Sequence, residues 1–282
     1  MTGVVGVNSF YLAGLTAVRY FQAAQADFIR ALERIASGKR INRAADDPAG
    51  LAISERMRAQ IRGLKQASRN AQDAISLLNV MDGGLHETQA ILHRLREISV
   101  RAATGTLTDS DRADLAMEFK ELVKAVDEIG ENTNFNTIPL LDGSRPELII
   151  HIGADAGQNT EIILQDMRGA ALGLYDENGG IIAIDSQEEA DKAISIIDEA
   201  ISAVSSHRSY LGAKTRRLEH TVNNLENTAI NLAAAESRIR DADIAEEMLN
   251  LVQAQIRMQA ALAMVAQANV NQQMILRLLW PA

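Results

Sequence analysis

Each end of the 282-residue chain carries an apolar stripe at helical spacing with no local partner to cover it. Near the start, Val18, Phe21, Phe28, Leu32 and Ile35 alternate at spacings of three and four, with Gln25 in the one remaining stripe position. Near the finish, Ile244, Met248, Leu251, Met258, Leu262, Val265, Leu276 and Leu279 keep the same rhythm, and Gln255, Asn269 and Gln272 take the positions between them. Such spacing lines residues along one side of a helix, and polar residues within the stripe fix register and partner number at some loss of stability. A stripe at each extreme end leaves water in one of two ways: the ends find each other, or they find other copies of the chain.

Composition supports long helices. Aromatic residues make up 4% and there are four prolines, which suits neither a β-sandwich nor an α/β enzyme. The formal net charge of −9 argues against general nucleic-acid binding, which needs a basic surface. Charge is also unevenly placed. Residues 1–43 hold six Lys/Arg against Asp27 and Glu33, whereas residues 241–282 hold four acidic residues against Arg257 and Arg277. Opposite signs suit two arms that pair. With no cysteine, disulfides, thiol catalysis and Cys-based zinc sites are excluded. The first 20 residues lack the basic start of a cleaved signal, and no run approaches the ~18 apolar residues of a membrane span.

Capping signals divide the chain. Gly38 reads as the left-handed residue closing the first helix, and Asp47-Pro48 as the cap and first residue of a second. That second helix is expected to run to about Ala103, about 80 Å at the usual rise per residue, with at most a bend at Gly83-Gly84. Ile61, Leu64, Ala71, Ile75, Leu78, Leu85 and Leu92 share one of its faces. Thr108 to Asp111 starts a shorter helix reaching about Ile129-Gly130, and residues 132–144 read as Asn-rich turns. The β-branched runs 148–152 and 160–164 then read as a hairpin, and Asn178-Gly179-Gly180 as a further turn. Ser186 and Glu189 form a capping box for another long helix. Its stripe is Ile197, Ile201, Val204, Leu211, Leu218, Val222, Leu225, Ala229 and Leu232, with Arg208 and Thr215 between. The expected fold is mainly α, with long antiparallel helices in coiled-coil or bundle layers around a small β-hairpin region. Its segments are an N-terminal arm (1–43), the first half of a core layer (44–185), the second half (186–240) and a C-terminal arm (241–282).

No catalytic constellation emerges. The five histidines show no His-Glu-x-x-His spacing, and neither a phosphate loop nor a nucleophile elbow is present. Asp46-Asp47 and Asp241-x-Asp243 read as helix-start caps in preference to metal ligands. No cofactor, metal or enzymatic activity is expected.

Several ordered motifs resemble those of bacterial flagellins. At the N-terminal side these are SGKRINRAADDPAG (37–50), QASRNAQDAIS (66–76), LREISV (95–100), and Asn134-Phe135-Asn136 ahead of Leu140-Leu141. At the C-terminal side they are Gly212, RLEH (217–220), NNL (223–225) and AESRIRDADI (235–244). The resemblance spans residues 20–165 and 190–279. It implies that the two arms form the inner layer of a filament and the long helices and hairpin the next. Only residues 166–186 remain where outer domains would be inserted, so the chain resembles a minimal flagellin.

The resemblance further implies a structural subunit of the secreted, extracellular flagellum used for swimming. Implied partners are further copies of the chain, an export chaperone holding the last arm around Met258, Leu262 and Val265, the flagellar export apparatus, and filament cap and hook-associated proteins. In the family a host Toll-like receptor binds a patch whose matching positions here are His93, Arg94, Ile98 and Arg101; the acidic residue expected two before Asp127 is Ala125. A hook–filament junction protein shares the same terminal logic and stands as the alternative. An enzyme inserted in this scaffold lacks room, and membrane-active arms would need a Lys/Arg-lined polar face with Trp and Phe.

Overall fold

The structure is a computed structural model that describes the backbone of residues 2–176 and 179–279, and the side chains of residues 12, 14–176, 179–271, 273 and 274. Leu276, Leu279, Gln272 and Asn178 therefore lie outside the described side chains. Five α-helices dominate: α1 Thr2–Ser37, α2 Pro48–Ala102, α3 Asp109–Asn132, α4 Gln187–Arg240 and α5 Ile244–Leu279. Two small antiparallel sheets interrupt them. One pairs β1 Asn134–Phe135 with β2 Ile138–Pro139; the other pairs β3 Glu147–His151 with β4 Asn159–Ile163. Local chemistry fixes most boundaries. Gly38 ends α1 at φ +68°, and Asp47 caps α2 by accepting from the Gly50 amide at 2.8 Å. Thr108 and Asp111 form a reciprocal capping box on α3, as Ser186 and Glu189 do on α4.

The chain divides into two compact units, residues 1–59 with 231–282 and residues 60–230. In the second, α2 runs antiparallel to both α3 and α4. Arg96 meets Asp198 at 2.6 Å, Arg208 meets Asp82 at 2.8 Å, and the Ser68 hydroxyl faces Glu226, so rising α2 numbers pair with falling α4 numbers. Arg94 crosses to Glu118 of α3 at 2.8 Å. The buried Arg112 guanidinium donates to the Ala102 and Thr104 carbonyls, supplying positive charge where the end of α2 exposes unpaired acceptors. The core runs along Leu78, Leu85, Leu92 and Leu95 of α2, Phe119 and Val123 of α3, and Ile197, Val204 and Leu211 of α4.

The stripe expected on α4 packs as read, except that Ile201, Val222 and Leu232 are half-buried. Arg208, one of its two polar interruptions, is bound by Asp82 and by Gln89 at 2.6 Å. At Gly84 the Thr133 side chain approaches to where a Cβ would stand, and α2 passes through without a break. The β3–β4 hairpin pairs Glu147 with Ile163 through to His151 with Asn159. Asn70 donates to the His151 carbonyl at 3.0 Å, and the Ile163 amide donates to the Tyr210 hydroxyl at 3.0 Å, so helices on both sides hold it.

The β1–β2 pairing contradicts the expectation of turns alone across 132–144. Its two-residue turn places Asn136 at φ +48° and Thr137 at φ +64°. The turn suits the twist of a tight hairpin but normally selects Asn-Gly, so a β-branched residue in its second place hides the signal. The segment after β4 folds back on α3. Asp127 accepts from the Gly169 amide at 2.8 Å and from the Tyr175 hydroxyl, and Met167 donates to the Leu141 carbonyl at 2.9 Å.

Candidate assembly interface

In the first unit α1 and α5 pair directly. Arg34, near the end of α1, meets Glu247, near the start of α5, at 2.9 Å. A groove beside this pair is lined by Asp27, Arg30 and Arg34 on one helix and by Glu247, Gln253 and Arg257 on the other. Earlier residues of α1 thus face later residues of α5, and the two ends form an antiparallel coiled coil. Among the described residues, those buried on α1 are Ala17, Ala24 and Ala31, with Phe21, Phe28 and Ile35 half-buried at the alternate positions. On α5 they are Glu247, Ala254 and Ala261, with Leu251, Met258 and Val265 half-buried between. Both sets alternate at spacings of four and three, the heptad signature.

This seam differs by one residue in every heptad from the expected stripe. Phe21, Phe28, Ile35, Leu251, Met258 and Val265 belong to both. Val18 and Leu32 on α1, and Ile244, Met248 and Leu262 on α5, lie outside it with substantial exposure. The places expected for Val18, Leu32 and Leu262 are taken by alanines one position earlier, and that expected for Met248 by Glu247. A methyl side chain lets two helices approach closely, so seam alanines bury well while adding little to a hydrophobicity count. The polar interruptions Gln25, Gln255 and Asn269 are accordingly exposed.

Consequently apolar side chains cover more than the seam. Leu12, Leu15, Val18 and Ile29 of α1 and Leu249, Val252, Ile256, Val270 and Met274 of α5 are exposed on the sides facing away from it. A helix apolar on several sides is suited to burial in a larger assembly.

The linker between α1 and α2 is well ordered by the end of α4 and the start of α5. Lys39 forms an antiparallel bridge with Asp241, the Arg40 amide donates to the Arg240 carbonyl at 2.7 Å, and Ala242 donates to the Gly38 carbonyl at 3.0 Å. Arg240, itself buried, pairs with Glu55. Asp46 accepts from the Asn42 and Arg43 amides, and these bonds hold its carboxyl below the usual carboxylate range. Ile41 is buried against Gly50, where a Cβ would collide with Asp47 and Ile41. Asp243 caps α5 by accepting from Ala245 at 2.9 Å. Asp46 therefore organises the linker, whereas Asp47 and Asp243 start helices. Among the described residues no cluster of three metal-ligating side chains occurs, and no helix is long and apolar enough to cross a membrane.

The four positions of the receptor patch lie on α2. His93, Arg94 and Arg101 are exposed, with Arg94 engaged by Glu97 and Glu118. Ile98 is 2% exposed within the core, so a partner at the surface cannot touch it. It supports the patch from beneath. Ala125 of α3 is half-buried.

Comparison with known proteins places this architecture. The profile of the bacterial flagellin N-terminal helical region matches residues 8–145, and that of the bacterial flagellin C-terminal helical region matches residues 194–279. The chain is 48% identical over 252 residues to a flagellin of Halalkalibacterium halodurans, covering 89% of this chain and 91% of that one. It is 42% identical over 278 residues to the flagellar filament core protein flaB2 of Brachyspira hyodysenteriae, covering 95% and 98%. Among solved structures, Bacillus cereus flagellin superposes with a TM-score of 0.50 at 30% identity, over 60% of this chain and 94% of that one. A protein described as flagellar hook-associated, from Vibrio parahaemolyticus, superposes at 0.59 over 70% of this chain and all of that one, but at 14% identity shares the fold alone. Matched at both terminal regions and near half identical to a flagellin across most of its length, the chain belongs to the bacterial flagellin family, as a minimal member.

Proposed function

We infer that the chain is a structural subunit that polymerises through α1 and α5 into the bacterial flagellar filament used for swimming motility. The observation that carries this is the apolar surface left outside the α1–α5 seam. The intramolecular pairing consumes the alanine faces and leaves Leu249, Val252 and Ile256 uncovered. A second copy of the chain covers them in the filament, so residues 1–43 and 241–282 form the inner layer, and residues 44–185 and 186–240 the surrounding one. Val18, Leu32, Ile244, Met248 and Leu262 then contribute to contacts between copies, while Phe21, Phe28, Ile35, Leu251, Met258 and Val265 hold the pair within each copy. The relatives at 42–48% identity are flagellins and filament core proteins, which favours the filament subunit over the hook–filament junction.

The role is structural and not enzymatic, and it is exercised outside the cell, on the extracellular flagellum. Before export a chaperone holds α5. Leu262 is exposed in the folded pair whereas Met258 and Val265 are half-buried against α1, so a chaperone that reads all three captures α5 before it meets α1. The export apparatus, the filament cap and hook-associated proteins complete the set of partners. A host Toll-like receptor would contact His93, Arg94 and Arg101.

Seeded polymerisation tests the reading. Sheared filaments are extended with purified subunits and measured by electron microscopy. Ile256→Asp and Leu249→Asp change side chains exposed in the isolated fold, so helicity and melting should be unchanged while extension stops. Long filaments from both variants would remove α5 from the interface.

A further inference from the structure

Four of the chain's nine methionines lie in α5. Three of them, Met248, Met264 and Met274, are 46%, 59% and 51% exposed; the fourth, Met258, is half-buried in the seam. Elsewhere the distribution differs. Met81 and Met167 are buried in the bundle core, Met57 is half-buried on α2, and Met117 is exposed on α3. A thioether is flexible and polarisable, which suits a surface that must fit against other copies. It is also the side chain on α5 most readily attacked by peroxide, since the chain has no cysteine to react first.

We propose that Met248, Met264 and Met274 form an oxidation-sensitive control site on assembly: sulfoxidation by a peroxide arrests polymerisation of the free subunit. The inference rests on the α5 interface argued above. The sulfur lone pair attacks one peroxide oxygen, and the S–O bond forms as the O–O bond breaks. The departing oxygen takes the proton of the transferred one and leaves as water. Sulfur is oxidised by two electrons and the peroxide is reduced by two. Each event replaces an apolar end group with a strong dipole that must be desolvated when another copy covers it. Exposure makes the free subunit the vulnerable form, and burial between copies shields the same atoms after assembly. The site therefore acts on the growth of a filament and spares the filament already built.

The test uses the full chain and hydrogen peroxide. Oxygen incorporation at each methionine is mapped by peptide mass spectrometry, and extension of sheared seeds is timed. Oxidation is expected first at Met117, Met248, Met264 and Met274, with Met81 and Met167 spared. Extension by the oxidised subunit should slow at least about tenfold, the effect of a single imperfectly satisfied polar group. Treatment with methionine sulfoxide reductases for both epimers should restore it. The combined variant Met248→Leu, Met264→Leu and Met274→Leu should extend seeds equally before and after peroxide. Unchanged extension by subunits fully oxidised at the three positions overturns the proposal. So does equal inhibition of the triple variant, which would assign the effect to a methionine outside the three. A triple variant unable to extend seeds leaves the decision to the reductase, and failure to recover then counts against the proposal. Untreated wild-type protein that does not extend seeds defeats the filament reading itself.

Discussion

Arg34 and Glu247 are 213 positions apart in sequence and 2.9 Å apart in space, and they form an ion pair that joins α1 to α5 across the coiled coil. Glu247 occupies a seam position that alanine or a larger apolar residue takes elsewhere on α5, and its side chain is 9% exposed. Any shift of one helix along the other would bury this carboxylate without its guanidinium. A polar pair in an apolar seam contributes more to specificity than to net stability.

Removing one partner should therefore be costly, and exchanging both should not. Glu247→Leu or Arg34→Leu is expected to lower stability by about 1–3 kcal/mol, a range reduced because Arg34 keeps part of its side chain in water. The exchange Arg34→Glu with Glu247→Arg should recover most of that loss in urea titrations of the full chain. Equal destabilisation by the single and exchanged variants would show that the contact does not set the register.

Close approach at the alanines makes a second expectation. Ala24 is 5% exposed, so Ala24→Leu forces a branched side chain into a filled seam, and overpacking of this kind costs roughly 1–3 kcal/mol. Gln25→Leu, one position later and exposed, should leave the melting temperature of the coiled coil nearly unchanged. An effect of the same size at both positions would contradict the seam described above.

His207 supplies an acid-sensitive element in the second unit. It is 4% exposed, stacks on Tyr210 with ring centroids 5.8 Å apart, and its Nε2 has no hydrogen-bond partner. Burial pushes its pKa below the ordinary histidine value of 6.5. The unfolded chain then takes up this proton more readily than the folded one, so stability is full above pH 6.5 and declines as pH falls through the interval down to the folded value. Proton-linked destabilisation below pH 6.5 should shrink in His207→Leu, measured as the pH dependence of the urea midpoint. A wild-type slope in the variant would exclude His207 as its source.

Tyr175 makes the complementary alkaline prediction. Its hydroxyl donates to Asp127, and that bond, followed by burial, raises its pKa from 10 to about 12. The neutral phenol is favoured in the folded state, so its contribution is complete below pH 10 and lost as pH rises through about 12. Tyr175→Phe should lower stability at neutral pH by about 1 kcal/mol and flatten the alkaline decline. Ultraviolet titration of the phenol in the folded chain would show an ordinary midpoint if the bond were absent in solution.

Much of this molecule is written in local chemistry. Gly38, Asp47-Pro48, the Thr108–Asp111 box and the Ser186–Glu189 box act within a few residues of themselves, and the long period-seven stripes commit α2 and α4 to helix before any partner is present. The hairpin at 147–163 follows equally from its β-branched runs. Three things depended on tertiary contact. The seam between α1 and α5 is chosen by how closely two backbones can approach, a property of alanine in a pair and invisible in one helix read alone. The β1–β2 turn forces Thr137 to a positive φ that its own preferences oppose, because the strands on either side fix the geometry. Ile98 shares a helix and a motif with Arg94 and Arg101, yet packing of α2 against its neighbours turns it into the core while they stay in water. Periodicity says which residues share a side; only the partner decides which side is buried.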